Sequence, residues 1–334
     1  MIEKETHWAG VREAGTLAGM KCLLLAYRLF GRTGFRILLL PVMAYFYLTR
    51  TESRHASRDY LARIKQQLPT EKRQGLTPFR HFWCFGEILL DKLLVWMGHI
   101  RHEDVIFETP AAFEALDRSK TGGLIIVSHL GNTEICSALA HQLPGIKVTM
   151  LVYHHHAEKF NRLMKQTSAN ASVHLMQVTD ITPATAMLLA ERIEAGEYIV
   201  IAGDRTPVNG SGRTSVVNFL GGRAAFPQGG FILASLLRCP VYLMFCLKES
   251  GCYHLYLETF ADRVLLPRKE REAQLKTRVQ AYADRLAAYC CRVPLQWFNF
   301  FSFWQEDAVG PKTFEDDTNL MGNTGQDKNE HAEG

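Results

Sequence analysis

The middle of the chain alternates short apolar runs with amphipathic segments, which predicts strands and helices in turn. The apolar runs that predict strands span residues 124–127, 147–152, 173–177 and 198–202. Runs that are apolar at consecutive positions are typical of a parallel sheet with both faces covered. We therefore expect an α/β fold, a mostly parallel sheet flanked by helices, that ends in two antiparallel strands near 241–248 and 253–260.

The N-terminal region contains the most hydrophobic stretch of the chain. Residues 23–48 are mostly apolar, and Arg28, Arg32 and Arg36 recur every four positions, along one side of a helix. The uncharged run from Ile37 to Thr49 is shorter than the ~20 residues that cross a bilayer as a single helix. We interpret the segment as a helix that lies at a membrane interface or dips into it, with a buried core hairpin as the alternative.

These patterns divide the chain into three regions. Residues 1–60 are expected to form a membrane-associating helical segment, and residues 61–305 the α/β domain. Residues 306–334 are polar and acidic, so we expect a disordered tail.

Charge and cysteine content narrow the class of protein. The 334 residues carry a net charge of +4, but residues 311–334 hold two Lys against six acidic residues, which leaves +8 for the body. A basic body suits an anionic membrane surface or an acidic carrier, although a generally basic surface is the alternative. Eight cysteines without a C-x-x-C pair indicate reduced thiols, and the run at 154–156, three histidines, lacks metal-ligand spacing.

The strongest candidate for chemistry follows the first central strand, where residues 129–134 read HLGNTE. His129 is predicted on the loop between strand and helix, at the edge where open α/β sheets hold their active sites. The carboxylate of Glu134 can turn back onto the imidazole and raise the basicity of the other ring nitrogen. The amides of Gly131 and Asn132, at the start of the helix, can hold negative charge. The alternative is that His129 caps the helix and Glu134 is a solvated acid.

A second polar pair, Asp204 and Arg205, directly follows the strand at 198–202. It is therefore expected at the same sheet edge as His129. A guanidinium there can bind a phosphate with two hydrogen bonds, although an ordinary loop salt bridge is the alternative.

Glycines mark a third candidate region. Gly221 and Gly222 belong to a predicted loop over 207–223, in which backbone amides can approach a ligand. The loop lacks the flanking residues of the phosphate-binding fingerprints, so its glycines alone indicate little.

Several motifs resemble one known family. HLGNTE is similar to the H-x4-D/E motif of glycerolipid-type acyltransferases, and more closely to that of the late lipid A biosynthesis (lauroyl/myristoyl) acyltransferases. Residues 217–230 resemble the family's F-F/L-G-x-x-A-x-x-P-x-G block, and 294–298 its closing P-x-Q-W motif. Residues 160–162 match more loosely a segment in which relatives carry an Asn and an Arg that bind a substrate anion. Members often end with a basic tripeptide where this chain has NFFSFW, which puts substrate choice in doubt.

The resemblance implies a membrane-associated O- or N-acyltransferase at the cytoplasmic face of the inner membrane, with His129 as general base and Glu134 orienting it. The candidate substrate-binding residues are Asn132, Arg162, Asp204, Arg205, Gly221 and Gly222. The donor would be an acyl carrier protein or coenzyme A thioester and the acceptor a hydroxyl or amine of a lipid. No metal, cofactor or nucleic acid is expected. A covalent hydrolase lacks support because no G-x-S-x-G elbow occurs.

Two alternatives stay open at this point. The chain can be a catalytically inactive lipid-binding or scaffold protein of the same fold. The aromatic helix predicted over 79–96 either packs in the core or lines an acyl-chain groove.

Overall fold

The computed structural model describes residues 17–133, 135, 147–152, 173–177, 182–206 and 213–304. The described helices are α1 (Leu17–Thr49), α2 (Thr51–Gln67), α3 (Pro78–Trp96), α4 (Pro110–Arg118), α5 (Pro183–Glu194), α6 (Gly229–Leu237) and α7 (Arg271–Arg292). The described strands are β1 (Val105–Phe107), β2 (Gly123–Val127), β3 (Lys147–Val152), β4 (Val173–Gln177), β5 (Glu197–Ala202), β6 (Thr214–Phe219), β7 (Gly222–Pro227), β8 (Val241–Glu249) and β9 (Cys252–Ala261). The tail that we expected over 306–334 lies outside the described residues.

Seven of these strands form one sheet in the order β1-β9-β8-β2-β5-β3-β4. Every neighbouring pair is parallel except β8 and β9, which are antiparallel as predicted. β2 and β5 lie side by side near the centre, so the loops that follow them share one edge of the sheet.

Alternate residues of the central strands enter two hydrophobic cores, one on each face of the sheet. Leu124 and Ile126 of β2 pack with α2, α5, α6 and α7. Ile125 and Val127 pack on the other face with α1, α3 and α4. Successive strand residues point to opposite faces, so a continuous apolar run is buried on both. The predicted class, a mostly parallel sheet flanked by helices, is confirmed.

Helix α1 is long, apolar and kinked at Gly31, where φ is +63°. Its segment from Cys22 to Thr49 is long and apolar enough to cross a membrane, judged by length and composition alone. Phe35, Leu39 and Met43 are nevertheless buried against the body of the protein. The alternative of a core hairpin is wrong, because α1 runs in one direction along α3 and does not fold back on itself.

The predicted domain boundary after residue 60 falls inside α2. Tyr60, Leu61 and Ile64 are consecutive contacts of this helix with the larger core, and each is almost fully buried. The apolar face of α2 thus packs on the core of the sheet, and the division of the chain into three regions stays a prediction.

A two-stranded antiparallel hairpin, β6 and β7, replaces the described part, residues 213–223, of the loop that we predicted over 207–223. In β6 the buried Val217 and Phe219 alternate with the more exposed Val216 and Asn218, which is the periodicity of a strand with one covered face, and Phe226 of β7 is buried beside them. The turn is made by Leu220 and Gly221, both with positive φ. The glycine content masked this strand pattern in the sequence.

Candidate active site

The loops after β2 and β5 bring His129 and Asp204 together at the carboxyl edge of the sheet. Nδ1 of His129 lies 2.7 Å from Oδ1 of Asp204, and the backbone N–H of His129 donates to Oδ2 at 2.8 Å. The two residues are 75 positions apart in the chain. The prediction that they share one edge of the sheet is confirmed, and the structure adds their direct contact.

The carboxylate of Asp204 is fully buried, and both of its oxygens accept hydrogen bonds. Besides the two bonds from His129, Oδ2 accepts from the indole N–H of Trp297 at 3.0 Å and the side-chain amide of Asn299 at 3.2 Å. Burial raises the pKa of Asp204, but His129 and Arg205 together outweigh burial and hold the pKa below its ordinary value. The group is therefore an ionised acceptor, held in one orientation.

The ring of His129 presents its second nitrogen to the outside. One third of the side chain is exposed, and no described residue is hydrogen-bonded to Nε2. Because an ionised carboxylate only accepts, Nδ1 carries the proton and Nε2 has a free lone pair. Burial lowers the pKa of His129, and Arg205 lowers it further, against a smaller opposite effect of Asp204. At neutral pH the residue is thus an uncharged base with an accessible Nε2.

The backbone amides of Gly131 and Asn132 already donate hydrogen bonds within the protein. The N–H of Gly131 donates to the carbonyl of Gln296, and that of Asn132 to the carbonyl of Cys246, each at 2.8 Å. Gly131 has φ +70°, and a Cβ there would lie 1.9 Å from the Cys246 carbonyl oxygen, so this close approach requires glycine. The prediction that these two amides hold negative charge is wrong, because the carbonyls of Cys246 on β8 and of Gln296 accept from both.

The structure also places the other candidate substrate-binding residues. The side chain of Asn132 is fully buried, and its predicted contact with substrate stays a prediction. Arg205 donates from Nε to Asn299 Oδ1 at 2.9 Å and from Nη2 to the Phe298 carbonyl at 3.0 Å. Burial lowers the pKa of Arg205 to about 10. These two bonds tie the loop after β5 to Phe298 and Asn299. The predicted anion-binding role of Arg205 stays a prediction.

Gly221 and Gly222 lie at the tip of the β6–β7 hairpin. A Cβ on Gly222 would lie 2.1 Å from Nη1 of Arg63 and 2.7 Å from Cδ1 of Trp304, so this glycine permits close packing. The contacts give the two glycines a role in the turn, while their predicted contact with substrate stays a prediction. Glu134 and Arg162 lie outside the described residues. The orienting role of Glu134 and the substrate-binding role of Arg162 stay predictions.

The closing segment, residues 294–304, covers the loop that carries His129. The N–H of Phe298 donates to the carbonyl of His129 at 2.9 Å, and the side chain of Gln296 exchanges two hydrogen bonds with the backbone of Lys248 on β8. Trp297 and Asn299 reach Asp204 from this segment. The sequence reasoning missed both contacts. The P-x-Q-W resemblance marked Trp297, but nothing local connects it to an acid 93 positions away.

A buried histidine on α3 fastens the closing segment to the helices. Nε2 of His81 lies 2.9 Å from the carbonyl of Trp297, and Nδ1 lies 2.9 Å from Oγ of Ser57 on α2. A carbonyl only accepts, so Nε2 carries the proton and Nδ1 accepts from the hydroxyl. Burial lowers the pKa of His81 to about 4, because a charged ring would lose its hydration there.

We expect this histidine to make the fold sensitive to acid. The unfolded chain binds a proton at His81 below pH 6.5 and the folded chain only near pH 4. The free energy of unfolding is therefore not reduced by this group above pH 6.5, and it falls as the pH drops from 6.5 to 4. The expected loss from this group between pH 7 and pH 5 is about 2 kcal/mol. Urea unfolding of the parent and of His81→Gln at both pH values measures it. An equal pH dependence in the two proteins would contradict the assignment.

Comparison with known proteins assigns the chain to no family. No model of a known protein family matches the chain, and a search of the curated proteins finds no match. The chemistry of the site is therefore inferred from its own contacts.

Proposed function

We propose that this chain is a membrane-associated acyltransferase in which His129 acts as general base. The observation that carries the proposal is the pair at the sheet edge. A buried, ionised Asp204 holds Nδ1–H of His129, while Nε2 faces outward and has no partner among the described residues. This is the arrangement that proton abstraction from an acceptor group requires. The motif resemblance supplies the reaction class, acyl transfer.

The reaction would proceed without a covalent enzyme intermediate. Nε2 of His129 removes the proton from the acceptor hydroxyl or amine as its oxygen or nitrogen attacks the thioester carbonyl carbon. The C–S bond then breaks, and the departing thiolate takes the proton back from the imidazolium. The positive charge that forms on His129 is stabilised by Asp204 at 2.7 Å. In this proposal Asp204 performs the orienting role that we predicted for Glu134.

The neighbouring serine does not supply a nucleophile. Ser128 is buried, and its Oγ accepts a hydrogen bond from the N–H of Leu130 at 3.4 Å. A nucleophile must reach both its base and the substrate. Direct attack by the acceptor therefore fits the described contacts better than an acyl-enzyme.

Aromatic side chains beside the base support a fatty acyl donor. Phe298 is bonded through its backbone to His129, and its ring lies 5.3 Å from that of Phe85 on α3. Phe300 lies 5.5 Å from Phe85, and Phe85 and Phe300 are only partly buried. Partly exposed rings packed around a residue that is bonded to the His129 backbone are suited to an apolar chain. We propose an acyl carrier protein or coenzyme A thioester as donor and a lipid as acceptor, at the cytoplasmic face of the inner membrane.

The pH profile of the reaction should show the lowered pKa of the base. The neutral form of His129 is the active one, and the pKa of His129 lies below 6.5 because burial and the cations Arg205 and Lys92 outweigh Asp204. We therefore expect kcat/KM to be constant through neutral pH and to fall only below pH 6.5. A profile of initial rates from pH 5 to 8 measures this. An acid limb centred above 6.5 would contradict the assignment.

The activity itself is tested with purified protein in detergent, radiolabelled acyl carrier protein or acyl coenzyme A, and a panel of lipid acceptors. We expect transfer of label to a lipid product that is resolved by mass spectrometry. Specific lipid binding without transfer from either donor would favour the scaffold alternative and would overturn the proposal.

A further inference from the structure

The exposed face of α1 is the most apolar surface among the described residues. Eight of the thirteen large hydrophobic side chains that these residues expose lie on this one helix. They are Leu25, Leu29, Phe30, Ile37, Leu38, Leu40, Tyr45 and Leu48. The helix carries one Lys and three Arg and no acidic residue. Arg32 and Arg36 are paired with acids of α3. The apolar row itself carries no acidic residue, so it suits the apolar part of a lipid surface and is not repelled by an anionic one.

The opposite face of α1 lies along α3 over nearly the whole apolar segment. The two helices are antiparallel, as shown by three contacts in order, Arg32 with Asp91, Arg36 with Glu87, and Tyr47 with Phe79. Tyr27 contacts His99, just beyond the end of α3. In the middle the helices come close together, since a Cβ on Gly86 would lie 2.9 Å from Leu39. After the kink at Gly31, from Arg32 to Tyr47, at 1.5 Å per residue, the docked length is about 22 Å.

That docked length decides how α1 can meet a bilayer. That length is most of the hydrocarbon core, which is ~30 Å thick, so a spanning α1 would carry the docked α3 into the lipid with it. Asp91 of α3 is fully buried and accepts from Nζ of Lys248 and the hydroxyl of Tyr253, each at 2.6 Å, on β8 and β9. Because these bonds fasten α3 to the sheet, the sheet would have to enter the lipid as well. Its charged and polar groups make that placement too costly.

We infer that α1 does not cross the membrane but lies along the surface of an anionic leaflet. The row from Leu25 to Leu48 enters the lipid, while Phe35, Leu39 and Met43 stay packed on the protein. Both ends of α1 are then on the same side as His129. This inference uses the docking of α1 alone and holds whether or not the site transfers acyl groups.

Two native cysteines test the topology. Cys22, near the start of α1, and Cys252, at the start of β9, are the exposed thiols among the seven described cysteines. An impermeant maleimide is added to sealed membrane vesicles of either orientation, and labelled peptides are mapped by mass spectrometry. We expect Cys22 and Cys252 to react in the same orientation. Reaction from opposite sides would overturn the inference.

A second labelling site is needed in case lipid shields Cys22 from the maleimide. Gly19, exposed one turn earlier, is replaced in Gly19→Cys, and the same labelling is repeated. Reaction from the side of Cys252 supports the inference. Protection of this position in both orientations contradicts it, because the first turn of a surface helix remains accessible to water.

Vesicle binding tests the face itself. Ile37→Gln/Leu40→Gln removes two apolar groups from the lipid side, and we expect about a hundredfold weaker binding to vesicles of phosphatidylcholine and phosphatidylglycerol. The matched control, Met187→Gln/Leu236→Gln, changes two equally exposed residues on α5 and α6 and should bind as the parent. Equal loss in both variants would overturn the inference. So would dimerisation through α1 without vesicle binding, measured by analytical ultracentrifugation.

Discussion

Replacing His129 by alanine is expected to reduce kcat for acyl transfer by about 10²–10⁴-fold, the contribution typical of a general base. The loss should fall on kcat more than on KM, because Nε2 acts on the proton in the transition state and not on the bound ground state. Initial rates with a labelled thioester donor measure both parameters. The ring is one-third exposed, so the substitution opens no large cavity and the protein should remain folded.

The control for this variant is His55→Ala. His55 is exposed on α2, and we expect its replacement to leave the rate unchanged. If His129→Ala retained activity within about tenfold of the parent, proton transfer by this residue would be refuted. If the parent showed no transfer with any donor, the reaction class would be wrong while the geometry of the pair would stand.

Asp204→Asn is expected to lower kcat nearly as much, through the tautomer of His129. Three donors converge on Oδ2, so the amide oxygen of the variant must take that position. Its NH₂ group then replaces Oδ1 and faces Nδ1 of His129. Nδ1 has to become the acceptor, the proton moves to Nε2, and the base loses its lone pair. We expect a loss of about 10²–10⁴-fold in kcat.

A pH profile separates this effect from simple damage to the fold. Asp204 raises the pKa of His129, so its removal should shift the acid limb of the residual activity to lower pH. A purely structural defect would lower the rate without moving the limb in that direction. Asp59→Asn, which changes an exposed acid paired with Arg63 on α2, is the matched control. A limb that moved to higher pH would contradict the role of Asp204.

Much of the fold was predictable from the alternation of residue types. Apolar runs predicted β2, β3, β4 and β5, and β2 and β5 are buried on both faces. The antiparallel pair β8 and β9 was predicted as well. The hairpin of β6 and β7 was missed, although the buried Val217 and Phe219 alternate with the more exposed Val216 and Asn218 as a strand requires. Glycines at its turn favoured a loop, which shows that local composition can outweigh a short periodic signal.

The candidate site was predictable only in part. His129 follows a buried strand and so could be placed at the sheet edge, but the partner chosen for it was the acid five positions away in the chain. Asp204 is 75 positions away and Trp297 is 93 positions from Asp204, so spacing alone could not connect them. Adjacency of β2 and β5 brings in Asp204, and the path of the closing segment brings in Trp297 and Asn299.

The sequence by itself determined the α/β class, the apolar N-terminal helix and the position of His129 after a strand, because each depends on the order of residues within one element. Only the tertiary structure decided which acid touches His129, which amides near it are free, and how α1 lies on α3. These depend on strand order and helix docking, where segments distant in the chain meet through packing that no local pattern encodes.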